Sequence, residues 1–164
     1  MNSSPNDKTN DLADREVVIT RRFDAPPDVV WEAWTNPDRV VQWWGPDGFT
    51  TTNHEMNVCV GGVWSHTMHD PDGTDYPSRA VFVDVVRPRR ISYRLDGGSA
   101  TTRAQCEVDW TFAASGSGTL LTMRMRFPSV QERDRALKAL GVHEAGVATL
   151  ERLAVHLHTV GETR

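Results

Sequence analysis

Three stretches of the chain alternate inward and outward residue types with a period of two, and a later stretch does not. Trp64, His66 and Met68 alternate with Val63, Ser65 and Thr67; Cys106, Val108, Trp110 and Phe112 alternate with Glu107, Asp109 and Thr111; Leu121, Met123, Met125 and Phe127 alternate with Thr122, Arg124 and Arg126. Half-buried antiparallel strands read this way, because successive side chains point to opposite faces of the sheet. Near the C-terminus, Gly146, Leu150, Leu153, Leu157 and Val160 step by four, three, four and three, with Glu151, Arg152 and Glu162 facing water. That is one apolar stripe on a helix. A sheet with one apolar face and a helix with one apolar stripe must bury the two against each other. The expected class is therefore α+β, with a curved antiparallel sheet wrapped around a long C-terminal helix over about His143 to Val160.

The other elements follow from local signals. Val17, Val18, Ile19 and Phe23 make Glu16 to Phe23 a first strand, ended by Asp24-Ala25-Pro26-Pro27. Prolines lack an amide proton to lose in a helix's first turn, so a short helix is expected to about Thr35. Asn36-Pro37-Asp38 repeats the signal and predicts a second short helix through Trp43 and Trp44, stopped by Gly45-Pro46. Turns at Gly61-Gly62, Asp70-Pro71-Asp72-Gly73, Arg87-Pro88, Gly97-Gly98 and Gly116-Ser117-Gly118 divide Phe49 to Phe127 into a meander of six strands, giving about seven in all. Ser129 and Glu132 have capping-box spacing, so a helix starts there and runs to Gly141. Residues 1–14 are polar and offer almost nothing to bury; they are expected to form a disordered tail, with one domain over 15–164.

Composition removes several function classes. The 164 residues suffice for one well-buried core, and a net charge of -4 leaves no basic excess for nucleic acid. No run reaches the roughly 20 apolar residues of a membrane span, and the N-terminus lacks a signal peptide's apolar segment, so a cytoplasmic location is expected. Cys59 and Cys106 fall in apparent strands without CxxC spacing and are read as free buried thiols.

The segments Phe23-Asp24-Ala25-Pro26, Val30 to Pro37, Trp43-Trp44-Gly45-Pro46, Gly61-Gly62-Val63-Trp64 and Asp70 to Tyr76 carry a resemblance, continued in Met123 to Phe127 and Thr149 to Leu153. Together they resemble the bacterial single-domain branch of the family named for the activator of the heat-shock protein 90 ATPase. That branch lies within the START-like, birch-pollen-allergen-like (SRPBCC) superfamily, and the likeness covers about residues 15 to 160. The resemblance implies the helix-grip fold and three kinds of function: carriage of a small hydrophobic molecule, cyclase or aromatase chemistry on a polyketide-like chain, and co-chaperone activity. The eukaryotic co-chaperone resembles a two-domain protein, whereas this length accommodates one domain, so a chaperone partner ranks behind a ligand.

Four of the six tryptophans, Trp31, Trp34, Trp43 and Trp44, fall in the helical hairpin. Most such aromatics anchor core, and Trp44, beside Gly45-Pro46, is the candidate for a cavity mouth. His66 is the polar member of its inward row; a lone inward histidine is more often a hydrogen-bonded core residue than a catalyst, and here it could orient a ligand carbonyl or hydroxyl. Tyr93, Tyr76 and Arg79 are further polar candidates, each of a kind more often found at an edge or on the surface. The histidines at 54, 66, 69, 143, 156 and 158 form no HExxH-like pair, so no metal is expected. No cofactor is expected either, since GxSxG, Walker and Rossmann glycine patterns are missing.

The reading that results is a binder of a small apolar or aromatic ligand between sheet and helix, with Trp64, Met68, Trp110, Met123, Met125, Leu150 and Leu153 as walls. Methionine walls adapt to several ligand shapes. A cyclase-type enzyme using His66 or Tyr93 is the alternative, and a homodimer stays open. Gly146 stands on the inward stripe at a helical position where glycine costs about 1 kcal/mol relative to alanine. Two explanations are open: room left for a ligand, or a neighbouring element pressed against the bare backbone. The branch resembled here commonly carries a Gly-Trp or Gly-Gly pair at this place, of which Ala145-Gly146 follows the small version, and the first explanation is the expectation, with Met123, Met125 and Trp110 lining the room left.

Overall fold

A computed structural model describes residues 13–95, 106–139 and 141–162, with side-chain detail in the last helix as far as Thr159. The strands are β1 (Glu16–Phe23), β2 (Thr50–Met56), β3 (Val63–His69), β4 (Asp75–Val86), β5 (Arg90–Leu95), β6 (Cys106–Ser115) and β7 (Gly118–Arg126). They form one antiparallel sheet in the order β1-β7-β6-β5-β4-β3-β2. The helices are α1 (Pro27–Thr35), α2 (Pro37–Val40), α3 (Val130–Ala139) and α4 (Val142–Glu162). The α+β class read from the alternation and the helix-grip fold implied by the resemblance are the ones observed, and α4 extends one residue before and two beyond its expected bounds. The Gly97-Gly98 turn, the tail before Ala13 and the side chain of Val160 lie outside the described residues.

The local signals act largely as read. Asn36 Oδ1 accepts from the Asp38 amide at 2.9 Å, capping α2, and Ser129 Oγ accepts from the Glu132 amide at 3.1 Å ahead of α3. The second helix of the hairpin is shorter than expected: after Val40 the chain continues in turns, because Trp43 is drawn back under α1, where its Nε1 donates to the Ala33 carbonyl at 3.1 Å. Trp31, Trp34 and Trp43 are buried, and the Trp31 ring meets Phe112 of β6 edge-on at 5.2 Å. This pins the hairpin to the sheet. Cys106 is buried as expected, but Cys59 lies in the exposed β2–β3 connection, where the chain turns through Gly61 with φ of 85°.

On α4, Leu150, Leu153 and Leu157 are buried, as the stripe requires. One outward assignment needs correction. Glu151 is exposed as expected and forms an ion pair with Arg21 of β1, whereas Arg152 is half-buried and turned back onto the loop that follows α2. The helix is thus held to the sheet by its apolar face and tied down along its flank as well.

Candidate functional site: a neutral aromatic cavity

Between the concave face of the sheet and the first half of α4 lies a cavity of about 160 Å³. Its sheet side is built from the alternating residues of five neighbouring strands: Trp64, His66 and Met68 of β3, Ser78 of β4, Tyr93 and Leu95 of β5, Val108 and Trp110 of β6, and Met123 and Met125 of β7. Its helix side is Val142, Ala145, Gly146 and Thr149. Trp44, Gly45 and Pro46 close one end. None of these side chains carries a fixed charge.

The aromatic rings support one another. Trp44 meets Trp64 at 4.7 Å and Trp110 at 5.9 Å, while Trp64 stacks on the His66 ring at 4.2 Å with 29° between the planes. Beneath them Trp34, fully buried, touches Trp44, Trp64, Tyr93 and Trp110 at centroid distances of 5.3 to 6.1 Å. Such edge-to-face contacts set ring orientation as well as burying area. Trp64 Nε1 donates to Asn53 Oδ1 at 2.7 Å, which fixes its indole.

Tyr93 is an interior residue rather than an edge or surface one. It is 3% exposed, and its hydroxyl accepts from Trp110 Nε1 at 3.1 Å. Burial pushes its pKa up, so the phenol stays neutral and keeps its proton. The other two polar candidates stand away from the cavity: the Tyr76 hydroxyl donates to Asp70 Oδ2 at 3.1 Å, and Arg79 is exposed on β4. That same hydrogen bond, after the stronger one from the Thr74 amide, helps hold the Asp70 carboxyl below its usual range.

Leu150 and Leu153, expected as walls, do not line the cavity. They are packed into the core beyond it, and the helix wall is one turn earlier, on Val142, Ala145 and Thr149. The reason is the angular phase of the helix. Residues 142, 145, 146 and 149 share a stripe that begins beside the leucine stripe and faces the cavity before the leucines take over. The reading of Gly146 as room for a ligand is also corrected. A Cβ there would lie 2.4 Å from Ile19 Cδ1 and 3.2 Å from Met123 Cε, so the space beside the glycine is already taken by these side-chain tips from β1 and β7. The residue still borders the cavity, but the missing side chain does not create it.

Ser78, Thr149 and Arg152 were not singled out by the sequence. Ser78 could have been, since Ser78, Ala80 and Phe82 alternate with Arg79 and Val81. Arg152 had no such signal, standing next to an inward leucine like any solvent-facing residue. Its Nη1 donates to the carbonyls of Gly45 at 2.9 Å and Pro46 at 3.0 Å, two of the residues that close the cavity.

A second polar constellation lies on the opposite face of the sheet. Thr52 Oγ1 lies 2.8 Å from His69 Nε2, and His69 Nδ1 lies 2.7 Å from Asp75 Oδ1. Its order of hydroxyl, imidazole and carboxylate is that of a catalytic triad, but it is formed by side chains from three adjacent strands and none of the three lines the cavity. It stabilises strand pairing.

A seven-stranded antiparallel sheet closed over a terminal helix, with an apolar cavity between them, defines a protein of the helix-grip class. Residues 24–158 match the model of the family described as activator of Hsp90 ATPase homolog 1-like protein, and the chain belongs to that family. Solved structures share the fold at low identity. A protein from Nitrosomonas europaea is 20% identical with a TM-score of 0.81, covering 92% of this chain and 98% of its own. One from Mycobacterium smegmatis is 22% identical with a TM-score of 0.80, covering 92% and 95%. One from Arthrobacter aurescens is 21% identical with a TM-score of 0.83, covering 91% and 89%. Comparison with curated protein sequences finds no match.

Proposed function

We propose that the protein binds a small, neutral, hydrophobic or aromatic molecule in the cavity under α4. The observation that carries this is the lining itself: indole, thioether and aliphatic groups around about 160 Å³, without one Asp, Glu, Lys or Arg among the described residues. A charged ligand would leave water and meet no counter-charge there, at a large desolvation penalty. Size narrows the class further. A cavity of about 150 Å³ is known to accept a benzene ring, so one or two rings are the natural occupant and a long acyl chain is not. Among the described residues the ionisable side chains at the cavity are His66 and a Tyr93 held neutral by burial, which supports binding ahead of acid–base turnover.

Native mass spectrometry of the protein isolated from its own host tests this. A bound neutral species of one- or two-ring size is the expected result. Protein free of any such mass, whose tryptophan indole resonances also stay unmoved across a panel of mono- and bicyclic compounds, would overturn the proposal.

A further inference from the structure

The cavity is not uniformly greasy, and its polar atoms are not all used. Ser78 is 7% exposed, lines the cavity from β4, and its hydroxyl meets no hydrogen-bond partner among the described residues. Packing does not call for that oxygen. Ala80, two residues on and facing the same way, is completely buried as an alanine, and alanine at 78 would differ by the oxygen alone. Buried hydroxyls are ordinarily hydrogen-bonded, and an unsatisfied one marks a place where something else is to be bonded. Ser78 also sits opposite His66 in the β3–β4 register, so the two make a polar pair in the middle of a row otherwise set by Trp64 and Met68.

Tyr93 presents the same situation from β5. Its oxygen accepts from Trp110 Nε1, while its own proton has no acceptor among the described residues. Two hydroxyl groups on neighbouring strands therefore border one small cavity with hydrogen-bonding capacity to spare.

Resting on the cavity-binding reading above, we infer that the ligand is an oxygen-bearing ring, a neutral phenol or ring ketone, and that Ser78 is the residue that distinguishes it from a plain hydrocarbon of the same shape. The serine hydroxyl can donate to a ligand oxygen and accept from a ligand hydroxyl, so it serves either functional group. Selectivity follows from asymmetry: a ligand hydroxyl bonded to Ser78 gains modestly, whereas the same hydroxyl buried without a partner loses its hydration outright.

The test compares naphthalene with 2-naphthol, which share a skeleton and differ by one hydroxyl, using dissociation constants from NMR titrations that follow the tryptophan indole resonances. The wild-type protein should prefer 2-naphthol. In Ser78→Ala the ratio of the two constants should move by about tenfold toward naphthalene, the scale of a buried hydroxyl left unpaired. Ser78→Cys, close in shape and carrying only a weak donor, should move it in the same direction and guards against a fold defect in the alanine variant. If naphthalene binds but the ratio is the same in wild type and both variants, the assignment of Ser78 is overturned and the cavity reading stands. If neither compound binds the wild-type protein, both fall together.

Discussion

Arg152 of α4 donates from Nη1 to the carbonyl of Gly45 at 2.9 Å, across 107 residues of chain. The same nitrogen reaches the Pro46 carbonyl at 3.0 Å and the Trp44 carbonyl at 3.4 Å, and Thr51 Oγ1 donates to the Trp44 carbonyl at 3.0 Å. One guanidinium thus holds the backbone of the segment that closes the cavity, in place of the regular helix that ends at Val40.

Arg152→Met keeps much of the side-chain stem and removes the donors. We expect it to cost about 1–3 kcal/mol in denaturant unfolding, the range for hydrogen bonds from a charged donor. Amide exchange over residues 43–48 should accelerate beyond that global loss. Unchanged exchange in this segment would show that packing of Trp43 and Trp44 alone fixes it.

Gly146→Ala would ordinarily stabilise a helix. Here the added methyl meets Ile19 Cδ1, the end of a side chain that has to shift, so the usual gain of about 1 kcal/mol is expected to be lost. Ile19→Val removes the opposing atom and costs about 0.5–1.5 kcal/mol by itself. The double variant should be more stable than the two single effects predict. Simple additivity of the two would mean that Ile19 yields without strain.

Leu153→Ala deletes a fully buried side chain at the centre of the α4 contact. A loss of about 2–5 kcal/mol is expected. A change under about 0.5 kcal/mol in the same unfolding assay would show that the helix does not complete the core.

His156 couples stability to pH. Burial first, and then the Arg39 guanidinium whose Nε lies 3.4 Å from its Nε2, hold its pKa below the ordinary 6.5; Glu32, paired with Arg39 at 3.7 Å, is the nearby acid. The unfolded chain therefore takes up the proton first as pH falls. The contribution of neutral His156 is complete above about pH 6.5 and is lost as pH drops through the lowered folded value. The stability difference between wild type and His156→Gln should shrink from pH 7.5 to pH 5. Parallel curves would remove His156 from the pH response.

Much of this architecture is legible in the sequence because half-buried antiparallel strands preserve strict alternation. Trp64, Trp110 and Met123 announce the inner face, and the cavity is built on the same rows. What resists reading is what depends on distant partners. The purpose of Gly146 is decided by Ile19, more than a hundred residues earlier, and the role of Arg152 by carbonyls that any residue type could supply. Tyr93, a candidate for the site, is harder to place because β5 is short and its neighbours Ser92 and Arg94 resemble an edge, although β4 and β6 flank it on both sides. The distinction between Thr149 as wall and Leu150 as core is a matter of helical phase against a curved sheet, which the apolar stripe alone does not encode.

The strand order has a consequence for biosynthesis. β1 and β2 are consecutive in the chain yet occupy opposite edges, and β1 has its only sheet neighbour in β7, where Glu16 pairs with Arg126 across 110 residues. At about 5–20 residues per second, roughly 5–20 s of translation separate the two partners. Through that interval Val17, Ile19 and Phe23 have no strand to lie beside. Contacts of such long sequence separation also slow folding from the complete chain. The cavity inherits this order: Ile19 comes to rest under Gly146 only after α4, more than a hundred residues further on, has left the ribosome. The cavity therefore closes only once α4 is in place, and a nascent chain stalled before residue 142 holds its aromatic wall without that helix.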